Sequence, residues 1–410
     1  SNSLEFIYIL FAAARIGAVI VPYNLSLPSN VFKKNFAQTK INFLIGWHNS
    51  IREIFKELNI EKVIKKKNTI IVGANIKGFN FFGNLLKSKK KIKKNIKFIN
   101  ESFIIALTSG STGNPKPIVL TQKTKLLRSL FTKKIYSLNS SSVIITSTPL
   151  YHTLAQRLVL MSIIIGGTSV IMSGFSNEKW CNEVKKNKVT FSILVSSQLE
   201  NLINFDKNIF KKLKSLKTIV ASSSKLHENV RAQISSLKRP NIYEIYGTSE
   251  IAAVTNMKIN KNISKINSVG KSISIASIKI IDSKNKFQKK GKIGEIICKT
   301  PLVFSGYMNK PAETSLSFYK GYFKTGDMGF LDNDNYLYYS SRKKNIIIVG
   351  GINVYPEDIE KCLKNNYQIK DCCVFGVKDK ILGEQVVAAI ILRKKNINET
   401  KLRKYCLKNL

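Results

Sequence analysis

Acidic residues are scarce in this chain of 410 residues: Asp and Glu number 25 against 67 Lys and Arg, a formal net charge of +42. Long apolar runs are missing too. Residues 6–21 are broken by Arg15, and residues 159–172 contain Gly166 and Gly167. Neither reaches the roughly 18 uninterrupted apolar residues of a membrane-spanning helix, so no transmembrane segment is expected. Histidine occurs 3 times, and the 6 cysteines include no CxxC pair. This argues against a Cys/His metal cluster and suits a reduced, cytoplasmic setting. Cys372 and Cys373 sit in an apolar, strand-like run, where at least one is expected to be buried. No signal peptide is evident, and a first residue of Ser1 rather than Met reads as a fragment or a processed or trimmed chain.

The positive charge is spread along the chain. Lys, Asn and Ile crowd loops and core alike, as a strongly AT-rich coding sequence would produce, and the densest basic run is KSKKKIKKNIK at residues 87–97. A nucleic-acid binder concentrates its charge on one face or arm, so no nucleic-acid partner is expected. Apolar residues at 44% and charged residues at 22% describe an ordinary globular protein, long enough for two or three domains.

The expected fold class is α/β. Residues 4–17 read as a buried helix ending at Gly17, followed by a short strand AVIVPYN. Strands then alternate with helices as far as NIYEIYG at residues 241–247, which implies parallel pairing in layered sheets. After about residue 255, short alternating runs separated by Gly, Asn and Asp turns predict a β-rich, barrel-like subdomain. From Lys343 a small α+β unit follows, with a closing helix from Glu399 to Leu410. The expected organisation is a large N-terminal domain at 1–341, divided into 1–254 and 255–341, then a C-terminal domain at 342–410.

Four motifs carry chemistry. The first is TSGSTGNPK at residues 108–116, after the strand SFIIAL. Gly110 and Gly113 permit backbone conformations in which N–H groups converge on an anion. The hydroxyls of Thr108, Ser109, Ser111 and Thr112 add donors, and Lys116 adds a mobile charge. This is a phosphate cradle by chemistry, although GxxxxGK[ST] is absent. The second is YGTSE: Tyr246 offers an aromatic face, Gly247 close approach, Thr248 and Ser249 hydroxyls, and Glu250 a carboxylate suited to Mg²⁺. In the third, KTGD, Asp327 has a carboxylate that can accept from both hydroxyls of a ribose. In the fourth, RKKNIIIVGGINVYP, Arg342 offers a planar donor fork and Gly350 and Gly351 permit tight approach.

In this order the four closely resemble the signatures of the ATP-dependent adenylate-forming superfamily, which contains acyl-CoA synthetases, peptide-synthetase adenylation domains and firefly luciferases. Weaker echoes are AARIGAVIVPYN, PLYHT at residues 149–153, SVGKSIS and GEIICKTPLVFSGYMN. The resemblance implies that residues 108–113 with Lys116 wrap the β- and γ-phosphates of ATP, and that Tyr246 stacks on adenine beside Gly247, Thr248 and Ser249. It implies Mg²⁺ on Glu250 and Thr108, and Asp327 and Arg342 on the ribose. His152 would lie beside the substrate carboxylate, Lys344 at a hinge, and Gly350 and Gly351 along a thiol channel. Thr108, Lys116, His152 and Glu250 are then the catalytic candidates. The implied reaction activates a carboxylic acid to an acyl-adenylate with release of pyrophosphate, then transfers the acyl group to coenzyme A.

Departures from the pattern qualify this. No Gly-Lys motif of the kind that ends the family's small domain stands in residues 378–410, so the small domain reads as incomplete and slow adenylation is expected. The family's first segment is also missing from the start. Ser341 replaces a Gly, and ASSSK at residues 221–225 replaces a Gly-rich stretch. Glu244 in EIYGTSE resembles fatty acyl-CoA synthetases, which points to a plain, fatty carboxylic acid. The alternatives are an adenylation module of a larger assembly-line synthase that loads a carrier protein, or a degraded nucleotide-binding homologue. The sequence leaves the acid, the thiol and the oligomeric state open.

Overall fold

The computed structural model describes residues 2–58, 64–88, 100–107, 116–259, 263–350, 352–379, 381–393 and 398–409. The chain divides into two units. The first holds Ser1–Ala253, Met257–Ile266 and Pro301–Leu316, and the second holds Val254–Asn256, Asn267–Thr300 and Ser317–Leu410.

Local signals set the helices of the first unit. Ser3 Oγ accepts from the Phe6 N–H at the start of the helix Leu4–Ile16, and Gly17 ends it at φ 72°, a conformation cheapest for glycine. Thr121 caps the helix Gln122–Tyr136 by accepting from the Thr124 N–H at 3.0 Å. Five parallel strands of the main sheet run in the order Thr168–Ile171, Val143–Thr146, Phe191–Val195, Thr218–Ser222 and Asn241–Glu244, and Met257 and Lys258 pair antiparallel with the last of them. Its central strands are nearly continuous apolar runs because both faces are covered. One cluster gathers Trp180, Leu194, Leu199, Ile219 and Ile242, and another gathers Ile144, Phe191, Ile193 and Val220. Each such side chain stabilises the fold by about 1.5–3 kcal/mol when fully buried.

Alternation alone misjudges one pairing. The strand Ser102–Leu107 pairs antiparallel with Pro117–Thr121, a strand the sequence reading left unassigned. Pro117 opens that strand, where a missing N–H is tolerated. The expected strand AVIVPYN is reduced to one bridge, Ile20 to Ile104, because Pro22 has no N–H to extend it. The helix Ser196–Phe205 also went unread. Leu44–Trp47, Thr69–Val72 and Asn80–Phe81 form a separate parallel sheet.

The second unit contains an antiparallel sheet built from Ser277–Ile281, Gly294–Lys299, Tyr322–Leu331, Phe318–Tyr319 and Leu337–Arg342. It also contains an antiparallel sheet in the order Ile352–Val354, Ile347–Val349, Gly383–Leu392, Ile369–Asp379. Ile347, Leu363, Ile369, Cys372 and Val374 form its core, with Leu402 of the helix Glu399–Asn409 packed against them. Cys372 is buried and Cys373 exposed. Among the described residues no helix is long and apolar enough to cross a membrane.

Candidate active site

In the first unit the YGTSE motif forms a tight hairpin beyond the end of the parallel strand Asn241–Glu244. Gly247 pairs with Ala253 and Thr248 with Ala252. A Cβ on Gly247 would collide with the Ala252 carbonyl, so the close approach that demands glycine comes from the chain itself. Tyr246 is 9% exposed. The Thr248 Oγ1 is buried with no hydrogen-bond partner. An orphaned hydroxyl of this kind has a donor left to give.

Glu250, on the hairpin, is fixed through its main chain. Arg128, on the helix Gln122–Tyr136, is 3% exposed. It donates from Nη2 to the Glu250 carbonyl at 2.8 Å, from Nη1 to the Ser249 carbonyl at 3.0 Å and from Nε to the Leu302 carbonyl at 2.9 Å. Burial, helped by Arg157, pulls the Arg128 pKa down to about 9, and Glu250 pushes it back; Arg128 stays a cation at neutral pH. The Phe304 N–H also donates to the Glu250 carbonyl, at 2.7 Å. The Glu250 carboxylate accepts from the Tyr307 hydroxyl at 3.3 Å.

Lys116 stands directly before the strand Pro117–Thr121. Its ammonium pairs with Glu313 and lies 5.2 Å from the centre of the Tyr307 ring. Lys116 and Lys310 hold the Glu313 carboxyl below the ordinary glutamate range. The structure therefore brings Lys116 to the ring of Tyr307 and Glu250 to its hydroxyl. Thr108, Ser109, Gly110, Ser111, Thr112 and Gly113 lie outside the described residues, as does Gly351. Among the described residues no group of three or more His, Cys, Asp and Glu could hold a metal ion by itself. A cation at Glu250 would take its other ligands from phosphate, water and neutral hydroxyls. That is how Mg²⁺ binds, so the donor set fits it.

Glu244 is 1% exposed and ion-paired to the buried Arg231, and its Oε1 accepts from the Leu226 N–H at 3.1 Å. It holds the fold together at the base of the ASSSK loop. In that loop Ser223 takes φ 81°, a conformation that favours glycine, where the family carries a Gly-rich stretch. His152 is the N-cap residue of the helix Thr153–Ile164, with its ring 4.4 Å from that of Tyr151. Desolvation by the surrounding protein lowers its pKa below the ordinary histidine value, which keeps the imidazole neutral at pH 7.

In the second unit, KTGD is no loop. It lies inside the strand Tyr322–Leu331, where Asp327 faces Arg342 of the neighbouring strand. Arg342 Nε is 2.9 Å from Asp327 Oδ1, and Asp327 is 2% exposed. The Asp327 N–H donates to Thr325 Oγ1 at 3.1 Å. Gly350, at φ 57°, makes the turn between the strands Ile347–Val349 and Ile352–Val354, which accounts for glycine at that position. Lys344 sits in the 3₁₀ turn Lys343–Asn345 after Arg342.

Sequence reasoning missed Arg128, Tyr307 and Glu313. Tyr307 and the segment around it were legible only as an echo, GYMN. A cavity of about 1830 Å³ in the first unit is lined by Phe6, Ile20, Tyr23, Leu44, Tyr151 and Tyr307 among others. Tyr307, which contacts both Lys116 and Glu250, is the residue this cavity shares with the candidate phosphate site.

The sequence model of the AMP-binding enzyme family matches residues 1–308, and that of the AMP-binding enzyme C-terminal domain matches residues 358–410. The chain is 27% identical over 396 residues to the indoleacetate–CoA ligase of Aromatoleum aromaticum, covering 95% of this chain and 76% of the ligase. It is 28% identical over 291 residues to a medium/long-chain-fatty-acid–CoA ligase of Mycobacterium tuberculosis, covering 70% of this chain and 51% of that ligase. Its fold matches the o-succinylbenzoate CoA synthetase of Bacillus subtilis, solved with its acyl-adenylate intermediate. The TM-score is 0.87 at 23% identity, covering 100% of this chain and 80% of the other.

Proposed function

The chain belongs to the AMP-binding enzyme family, and from that membership we propose that it activates a carboxylic acid with ATP and passes the acyl group to coenzyme A. The observation that carries this reading is the convergence of Lys116 and Glu250 on Tyr307: a mobile cation and a hard carboxylate around one ring, as a polyphosphate requires.

In this reading Lys116, with residues 108–113, holds the β- and γ-phosphates, and the Thr248 and Ser249 hydroxyls donate to phosphate oxygens. Tyr246 faces the adenine beside Gly247. Asp327 accepts from the ribose hydroxyls while Arg342 orients it. Glu250 and Thr108 are the residues that would hold Mg²⁺, which when bound neutralises charge on the phosphates. The neutral His152 imidazole stands at the carboxylate of the acid. That carboxylate attacks the α-phosphorus in line, the bond to the bridging oxygen breaks, and pyrophosphate leaves. The thiolate of coenzyme A then attacks the acyl carbonyl and expels AMP. Positioning and fixed charge supply most of the acceleration. Residues 1–341 act as the nucleotide-binding domain and residues 342–410 as the smaller mobile one, with Gly350 and Gly351 toward the thiol.

The acid is read as a plain carboxylic acid, with a fatty chain as the first class. No Asp follows Tyr151 and His152 to pair with an amino group, and the helix beginning at Thr153 is mostly apolar. The test is acid-dependent exchange of labelled pyrophosphate into ATP across fatty, aryl and amino acids. Exchange with fatty acids supports the reading, and exchange with aryl acids alone moves the substrate class. Absence of exchange together with absence of ATP binding removes the enzymatic assignment.

A further inference from the structure

We infer that Tyr307 is a positioning residue that couples the phosphate lysine to the metal-binding carboxylate; the inference rests on the ATP-dependent reading above and deepens it. The side chain serves two groups at once. Its hydroxyl donates to Glu250 Oε1 at 3.3 Å, and its ring centre lies 5.2 Å from Lys116 Nζ. The residue itself is held firmly. Tyr307 pairs with Ile118 in the strand that begins directly after Lys116, its N–H donates to Thr314 Oγ1 at 2.9 Å, and Phe304 meets its ring edge-on at 4.9 Å. A tyrosine so fixed carries the position of the strand after Lys116 to the carboxylate of Glu250.

The two ends of the side chain do different work. The hydroxyl is the donor of its pair with Glu250, since a carboxylate oxygen accepts. It engages one carboxylate oxygen and thereby sets the direction of the other. The ring face attracts the ammonium through its quadrupole and, with Glu313, fixes the position of Lys116 before a phosphate binds. Glu250 is held at its carbonyl by Arg128 and at its carboxylate by Tyr307, so backbone and side chain are aligned independently.

The test measures ATP affinity by calorimetry, with and without Mg²⁺, for the wild-type chain, Tyr307→Phe and Tyr307→Leu. Circular dichroism melting checks that each variant folds. Tyr307→Phe keeps the ring, so metal-free ATP affinity should stay within about twofold, while the gain in affinity conferred by Mg²⁺ should fall about fivefold. Tyr307→Leu should also weaken metal-free ATP binding about threefold. A Phe variant with the full Mg²⁺ gain overturns the inference. So does one that loses metal-free and metal-dependent binding equally, because a general structural role would do that. If the wild-type chain binds no ATP in either condition, the ATP-dependent reading fails first and this inference falls with it.

Discussion

Arg128 and Glu250 are joined through the main chain: the guanidinium donates to the Glu250 carbonyl at 2.8 Å, although 122 residues separate them. With the bonds to Ser249 and Leu302, one buried side chain fixes the hairpin that presents the carboxylate.

Arg128→Met should therefore destabilise the first unit by about 3 kcal/mol or more, since three carbonyls lose a charge-assisted donor in a dry setting. Arg128→Lys, with a single ammonium in place of the fork, should lie between the two. Urea denaturation reads this directly, and a Met variant as stable as the wild type would show that the three bonds contribute nothing.

Asp327→Ala should weaken ATP binding by about tenfold or more and pyrophosphate binding by less than about twofold, because pyrophosphate carries no ribose. The unpaired Arg342 left behind is 47% exposed, so water can solvate it and folding should survive. Equal losses for both ligands would point to damage elsewhere.

Glu244→Gln should cost about 3–5 kcal/mol by leaving the buried Arg231 guanidinium without its counter-charge. Adding Arg231→Met should recover much of that loss. The order of preferred acids should stay the same in any variant that folds, since Glu244 is 1% exposed. A changed acid preference at unchanged stability would restore Glu244 as a selector of substrate.

Desolvation lowers the His152 pKa below its ordinary 6.5, so the folded protein binds this proton less readily than the unfolded chain does. The contribution to stability is then unfavourable once pH falls below about 6.5 and vanishes above it, so stability should rise with pH through that window. The acid limb of the adenylation rate should lie below pH 6.5 and should disappear in His152→Ala. An acid limb unchanged in that variant would remove His152 from the site.

The parts legible in the sequence were those whose chemistry is written in consecutive residues. YGTSE, KTGD and the Arg342 segment each declare donors and acceptors within a few positions, and the helix that Gly17 ends is legible from its apolar run and that glycine. What stayed hidden depends on chain segments meeting across long separations. Arg128 reaches Leu302 across 174 residues, and in a chain with 67 Lys and Arg a single buried guanidinium does not stand out. The strand Pro117–Thr121 was too short to separate from its neighbouring loop, and its antiparallel partner could not be chosen without the sheet. Gly247 reads from sequence as a place where a ligand could come close, and in the structure the group that comes close is Ala252 of the same hairpin. Glu244 reads in the sequence as a family marker, and spacing alone does not reveal its buried partner Arg231.

The carbonyl partners of Arg128 give the site an uneven response to its solvent. Carbonyl oxygens do not titrate near neutral pH, and mobile ions do not enter the buried space around them. The placement of Glu250 should be the same in dilute buffer and in molar salt. The pair between Lys116 and Glu313 is 38% and 32% exposed and is open to screening. Ionic strength thus acts on this centre as a selective lever: it loosens the cationic arm of Lys116 and leaves the carboxylate arm where the fold put it.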